Sequence, residues 1–200
     1  MKIAVATKNQ NKVKELNELM NIKNAEFLSL KDLGFDGEIE ENGASFEENA
    51  LIKARFVCKK YSLPAISDYS GLCVDVLGGE PGIYSARYAS ENGENSDDKA
   101  NIEKLLYKLR GIKDNEKTAR FVCAMAYCAP DGTEFTVKGL CEGVICGECR
   151  GESGFGYDPI FFSTQLLKTF GEATDEEKNS VSHRAHAAAL MSEKLREILK

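Results

Sequence analysis

The sequence predicts an α/β fold, a mixed β-sheet flanked by helices, and three observations carry that expectation. Short apolar runs that stop at polar turns read as buried strands. Between them lie segments whose apolar residues recur at helical spacing. A long two-stranded hairpin is marked by Pro130-Asp131-Gly132. Strands and helices mix without strict alternation, which points to a mixed sheet rather than a purely parallel one.

Taken in chain order, Lys2 to Thr7 ("KIAVAT") is the first strand. A helix follows from about Asn11 to Met20, with Val13, Leu16, Leu19 and Met20 on one face. "AEFLSL" is a second strand. "ASFEENALIKARFVCKKYS" is the clearest helix: Ser45 and Glu48 have the spacing of a capping box, and Phe46, Ala50, Ala54, Val57, Cys58 and Tyr61 line one face. "PAIS" and "LCVDV" read as two short strands separated by a polar turn at Asp68-Tyr69-Ser70-Gly71. An amphipathic helix spans Asp97 to Leu109, the hairpin follows, and a last helix runs from about Ser182 to Leu199.

Composition limits the function classes. Two hundred residues fit a single domain, 1–200, with room for a sizeable core. Lys and Arg number 26 against 32 Asp and Glu, a net charge of −6, which argues against a nucleic-acid partner held by bulk positive charge. A small anion gripped by a few local cations remains compatible with that balance. Only five residues separate Lys2 from Lys8, too few for a signal-peptide core, and no apolar run approaches the roughly 20 residues of a membrane helix. The expectation is a cytoplasmic protein with no membrane partner. Seven cysteines, irregularly spaced, suit reduced thiols; Cys146 and Cys149 form one C-x-x-C without a second pair to complete a zinc site.

Five segments carry residues suited to chemistry. Thr7-Lys8-Asn9-Gln10-Asn11-Lys12 stands where a strand gives way to a helix, where free N–H groups and Lys12 favour phosphate. An Asn-capped helix with solvated lysines would look the same. Glu40-Glu41-Asn42-Gly43 offers carboxylates beside a glycine, suited to Mg²⁺ or simply to solvent. "SDYSGL" brings Asp68 to the end of an apolar run, with the Ser70 hydroxyl beside Gly71, and Arg87 adds a cation further on. "GESGFGYDPIFF" sets Phe155 and Tyr157 among glycines, able to stack on a base while Asp158 accepts hydrogen bonds. "EEKNSVSHRAH" supplies Lys178, His183 and Arg184. The five describe a nucleoside triphosphate site better together than singly.

With those motifs, the chain resembles the inosine/xanthosine triphosphate pyrophosphatase (Ham1-like) family along nearly its whole length. The likeness rests on "ATKNQNK", "SFEENALIKA", "SGL-VD-LGG-PGIYSARY", "GFGYDPIF" and "EEKNSVSHR". It implies an elongated fold with two lobes, a site in the central cleft, and a homodimer. It implies that Thr7, Lys8, Asn9, Gln10, Asn11, Lys12 and Lys53 bind triphosphate, and that Glu41 and Asp68 hold Mg²⁺. It further implies that Ser70 touches substrate, that Phe155, Gly156, Tyr157 and Asp158 hold base and ribose, and that Lys178, His183 and Arg184 complete base recognition. The implied reaction is attack of water at the α-phosphorus of ITP, dITP or XTP, non-standard purine nucleotides, giving the monophosphate and pyrophosphate.

One position departs from the family pattern. The family has an acidic residue followed by Asp in this segment, and the second Asp is credited with metal contact and water activation; here the pair is Asp68-Tyr69. A phenol with an ordinary pKa of about 10 is a poor base at neutral pH, and loss of a general base lowers rate by about 10²- to 10⁴-fold. Three readings follow: a pyrophosphatase in which Asp68 and Glu41 take over, a catalytically silent purine-nucleotide-binding protein, or a chain whose ordinary form carries Asp at 69. A purely structural module would leave the clustered ligand-type residues without a purpose.

Overall fold

The computed structural model describes residues 1–20, 22 and 25–198, with the backbone alone for Asn11 and Glu15. One seven-stranded sheet has the order β2-β1-β3-β4-β5-β6-β7. Its strands are β1 (Lys2–Val5), β2 (Glu26–Ser29), β3 (Ala65–Val74), β4 (Thr118–Cys128), β5 (Glu134–Ile145), β6 (Phe161–Ser163) and β7 (Lys168–Thr169). The helices are α1 (Gln10–Met20), α2 (Phe46–Tyr61), α3 (Asp98–Lys108), α4 (Asp175–Val181) and α5 (His183–Ile198). Strand β1 pairs parallel with β2 and β3, whereas β6 pairs antiparallel with β5 and β7, so the sheet is mixed as the sequence predicts. The C-terminal Leu199 assigned to the last helix lies outside the described residues.

The chain divides into two compact units, Met1–Tyr69 with Cys123–Gly139 and Ala185–Lys200, and Ser70–Val122 with Leu140–Arg184. In the first, Ile3, Val5 and Ile66 of the sheet meet Val13, Leu16 and Met20 of α1 and Ala187, Met191 and Leu195 of α5 in one apolar cluster. Strand alternation turns the intervening residues the other way, and Ser67 there donates to the Ala50 carbonyl of α2. In the second unit, Leu72, Val74, Phe121, Ile145 and Phe161 pack with Ile102 and Leu105 of α3 and with Phe170.

Three local expectations need correction. No turn interrupts residues 65–74: β3 is one ten-residue strand, and Asp68 and Tyr69 are buried within it. Asp68 and Tyr69, which read as turn residues, instead find partners inside: the Asp68 carbonyl accepts from Lys53, and the Tyr69 ring lies beside the same ammonium. Ser45 caps α2 by accepting from the Glu48 N–H at 3.1 Å, but the Glu48 carboxylate accepts from Ala44, one residue before the position a capping box requires. A complete capping box does exist, at Thr174 and Glu177 of α4, a helix the sequence reading passed over together with the short strands β6 and β7.

Candidate functional site

The first unit gathers part of the phosphate-type set around Lys53. Leaving α2, its ammonium reaches the Glu41 carboxylate at 2.8 Å and the Asp68 main-chain carbonyl at 2.6 Å. The same ammonium stands 5.1 Å from the centre of the Tyr69 ring, a cation–π distance. Lys12, from the first turn of α1, places its ammonium 3.4 Å from Asp68 Oδ2. Tyr69 is further packed by Phe46, with ring centroids 6.0 Å apart. Glu41, Asp68, Lys12, Lys53 and Tyr69 therefore form one group, although they come from four separate stretches of chain.

The remainder of the Thr7–Lys12 segment behaves differently. The Thr7 hydroxyl accepts from the Asn9 N–H, and the Asn9 side chain accepts from the Lys12 N–H, which shapes the start of α1. Lys8 donates to the Asp36 carbonyl, and Gln10 to Ser29 and Asp32. Those two side chains brace the segment after β2 and do not join the Lys53 group. The Asn11 side chain lies outside what the structure describes.

Among the described residues, no three or more His, Cys, Asp or Glu side chains stand together as a metal-binding group. Glu41 and Asp68 meet the same Lys53 through a carboxylate and a carbonyl. One or two carboxylates suffice for Mg²⁺ when substrate phosphates and water complete its shell. Glu41 and Asp68 are donors of the type that Mg²⁺ takes.

The second unit contains a cavity of about 140 Å³, lined among others by Ser70, Phe121, Phe155, Lys178, His183 and Arg184. An apolar cavity near 150 Å³ takes up benzene, so there is room here for a flat ring. Its floor is ordered by packing: His183 is buried and stacks on Phe121 with centroids 4.8 Å apart and planes 14° from parallel. Buried Asp158 joins Lys178 at 2.5 Å and accepts from the Phe155 N–H at 2.8 Å. Burial pushes the Asp158 carboxyl above its ordinary pKa, against the opposing pull of the Lys178 ammonium and the Phe155 N–H. Gly154 is required beside it, because a Cβ there would fall 2.1 Å from Asp158 Oδ2.

The rim of that cavity is aromatic and cationic. The Phe155 ring is 60% exposed. It lies 4.7 Å from the Lys178 ammonium and 6.0 Å from the Arg184 guanidinium. Buried Tyr157 donates its hydroxyl to the Ser85 carbonyl at 2.9 Å, and burial raises its pKa further from the neutral range, so it is a structural phenol. The Ser70 Oγ is buried with no hydrogen-bond partner among the described residues. A buried hydroxyl in a cavity wall can take a polar ligand atom as its partner. Arg87 is turned to other use, its guanidinium lying over Tyr84.

Of the lining residues not named as site residues, Phe121 and Asp98 lie outside every motif the sequence marks. Phe121 sits mid-strand and carries no motif; only the alternation with Ala119 and Cys123 could have marked its face. Asp98 lines the cavity and accepts from the Gly156 N–H at 2.7 Å. Nothing in its spacing signals a contact 58 residues away.

Fold and side chains define a class: a mixed-sheet α/β protein with an ammonium–carboxylate group in one unit and a cation-rimmed cavity in the other. Residues 3–194 match the Ham1 family, and the chain belongs to it. A dITP/XTP pyrophosphatase of Bacillus subtilis is 50% identical over 191 residues, 96% of this chain and 95% of that protein. The Ham1 protein of Staphylococcus aureus superposes with a TM-score of 0.89 at 39% identity, covering 99% of this chain and 100% of that one. A nucleoside-triphosphatase, dITP/XTP pyrophosphatase, of Mycobacterium abscessus gives a TM-score of 0.80 at 44% identity, with 96% and 98% covered. Among the described residues no helix is long and apolar enough to cross a membrane.

Proposed function

We propose that this protein hydrolyses non-standard purine nucleoside triphosphates (dITP, ITP and XTP) to the monophosphate and pyrophosphate. The observation that carries the reading is the cavity of the second unit, with Phe155 over Lys178 and Arg184 and the orphaned Ser70 hydroxyl within. The names of the similar proteins support the same activity. Phe155 stacks on the purine, while Gly156, Tyr157 and Asp158 form its loop. Lys178, His183 and Arg184 donate to the keto oxygen of hypoxanthine or xanthine. Adenine presents an amine there, leaving buried donors facing a donor, and such a mismatch gives strong rejection.

In the first unit, Lys12 and Lys53 neutralise the triphosphate, aided by the N–H groups at the start of α1 beside Thr7 and Asn9. Lys8, Gln10 and Asn11 belong to the same segment, the first two through bracing it. Glu41 and Asp68 would hold Mg²⁺, which when bound neutralises charge on the phosphates. Asp68 is the carboxylate available to take the proton of the attacking water, because Tyr69 is a phenol already engaged through its ring. We propose that turnover is lowered for that reason. The whole chain, 1–200, acts as a single domain, as the nearly unbroken family match suggests. It is a cytoplasmic homodimer without nucleic-acid or membrane partners.

The test is pyrophosphate release from dITP, ITP and XTP with Mg²⁺, with ATP as the competitor. Release from the keto purines well above that from ATP is expected. Equal rates on ATP would sink the specificity argument. The burial of Tyr69 favours one other reading, a silent purine-nucleotide-binding protein, which would bind ITP and release no pyrophosphate.

A further inference from the structure

We propose that Asp98 is a positioning residue for purine recognition, holding the Phe155 loop at the amide next to the one that Asp158 holds; this rests on the purine reading of the cavity. The two carboxylates grip consecutive amides. Asp158 Oδ2 accepts from Phe155 N–H at 2.8 Å, and Asp98 Oδ2 accepts from Gly156 N–H at 2.7 Å. Gly156 adopts a φ of +59°, a left-handed backbone that glycine takes readily. Packing restrains the Phe155 ring weakly, since it is 60% exposed. Its direction is therefore set by the backbone between Gly154 and Asp158, and that backbone is fixed at both amides.

Asp98 is exposed, but the helix start that carries it is held in place. It begins α3, and one turn on the Asn101 side chain is buried in a knot of hydrogen bonds. The Asn101 oxygen accepts from Ala89 N–H at 2.7 Å and from the Ser96 hydroxyl at 2.8 Å. Its nitrogen donates to the carbonyls of Ala86 and Ser96, both at 3.4 Å. Ala86, like Asp98, lines the cavity. The start of α3 is thereby locked to one wall of the cavity, and Asp98 transmits that position to the aromatic loop. A simpler account is that an acidic first turn suits the helix dipole. It explains a carboxylate at this position but not its bond to an amide of a distant loop.

Loss of the latch would leave Phe155 to be ordered by the ligand, an entropic cost felt only by a ligand that carries a base. The experiment is calorimetric binding of an α,β-imido analogue of ITP and of inorganic tripolyphosphate to the full chain, to Asp98→Ala and to Asp98→Asn. The Asn variant keeps an oxygen for the Gly156 N–H without the charge. Asp98→Ala is expected to weaken the imido analogue about tenfold, the scale of one charge-assisted hydrogen bond. Tripolyphosphate binding should not move, and Asp98→Asn should stay within about threefold of the parent chain. Amide exchange over residues 154–158 should quicken in Asp98→Ala alone.

Equal weakening of both probes, an Asn variant as weak as the Ala variant, or an Ala variant that fails to fold would each overturn the latch while leaving the purine reading intact. If the parent chain binds the imido analogue no more tightly than tripolyphosphate, the purine reading itself fails and the latch falls with it.

Discussion

Tyr69 and Asp158 show how a single side chain is decided by its surroundings. Tyr69 stands where the resemblance leads one to expect a carboxylate, and the structure packs it as a core aromatic, with Phe46 at its edge and the Lys53 ammonium over its face. Under the proposed function, Tyr69→Asp is expected to raise pyrophosphate release from ITP by about a hundredfold or more. Matching rates would instead assign the proton transfer wholly to Asp68. Asp158 yields a pH prediction. Burial raises its folded pKa above the ordinary 3.8, so the fold favours the protonated form. That contribution is fully present below the unfolded value and is lost as pH rises through the folded one. Relative to Asp158→Asn, the parent chain should therefore gain thermal stability on acidification from about pH 7 to about pH 4. Its affinity for ITP should fall over the same interval, because the protonated carboxyl releases Lys178; melting curves and calorimetry across the range would read both.

At the scale of elements, helix α4 exists to aim one ammonium. Its seven residues bury none of their own side chains, so caps and tertiary contacts must hold it. The Thr174 hydroxyl and the Glu177 carboxylate satisfy each other's amides, and Lys168 reaches Glu177 at 2.8 Å. Thr174→Ala is expected to cost about 1 kcal/mol of stability in urea unfolding. It should also weaken ITP binding, because Lys178 leaves α4 toward Asp158 and Phe155. Strand β3 teaches the complementary lesson. The sequence Ser-Asp-Tyr-Ser-Gly reads as a turn by composition, but it lies beyond the β1 pairing at Ala65 and Ile66, in a strand whose other neighbour is β4, and Lys53 binds the Asp68 carbonyl. Tertiary pairing overrode local preference.

At the scale of the molecule, each compact unit has its own apolar cluster. Met191 is fully buried among α1, α5 and the sheet in the first. Met191→Ala is expected to cost about 2–5 kcal/mol. That would lower the melting temperature by roughly 2–4 °C per kcal/mol for a chain of this length. Much of this architecture was legible in the sequence. Periodic apolar spacing located α1, α2, α3 and α5, and apolar runs located β1, β2 and the β4–β5 hairpin, because one buried face imposes a repeat on the chain. The short β6, β7 and α4 lacked the length for a repeat to register. The residue types that gather in the two groups were legible as well, as lysines, carboxylates and a glycine-flanked aromatic in fixed motifs. Their partners were decided only by the tertiary structure. That Lys53 joins Glu41, Asp68 and Tyr69, that His183 stacks on Phe121, and that Asp98 takes the Gly156 amide all depend on side chains brought together from distant parts of the sequence. Such contacts leave no local trace, because spacing along a strand or helix records which face is buried and not what lies against it.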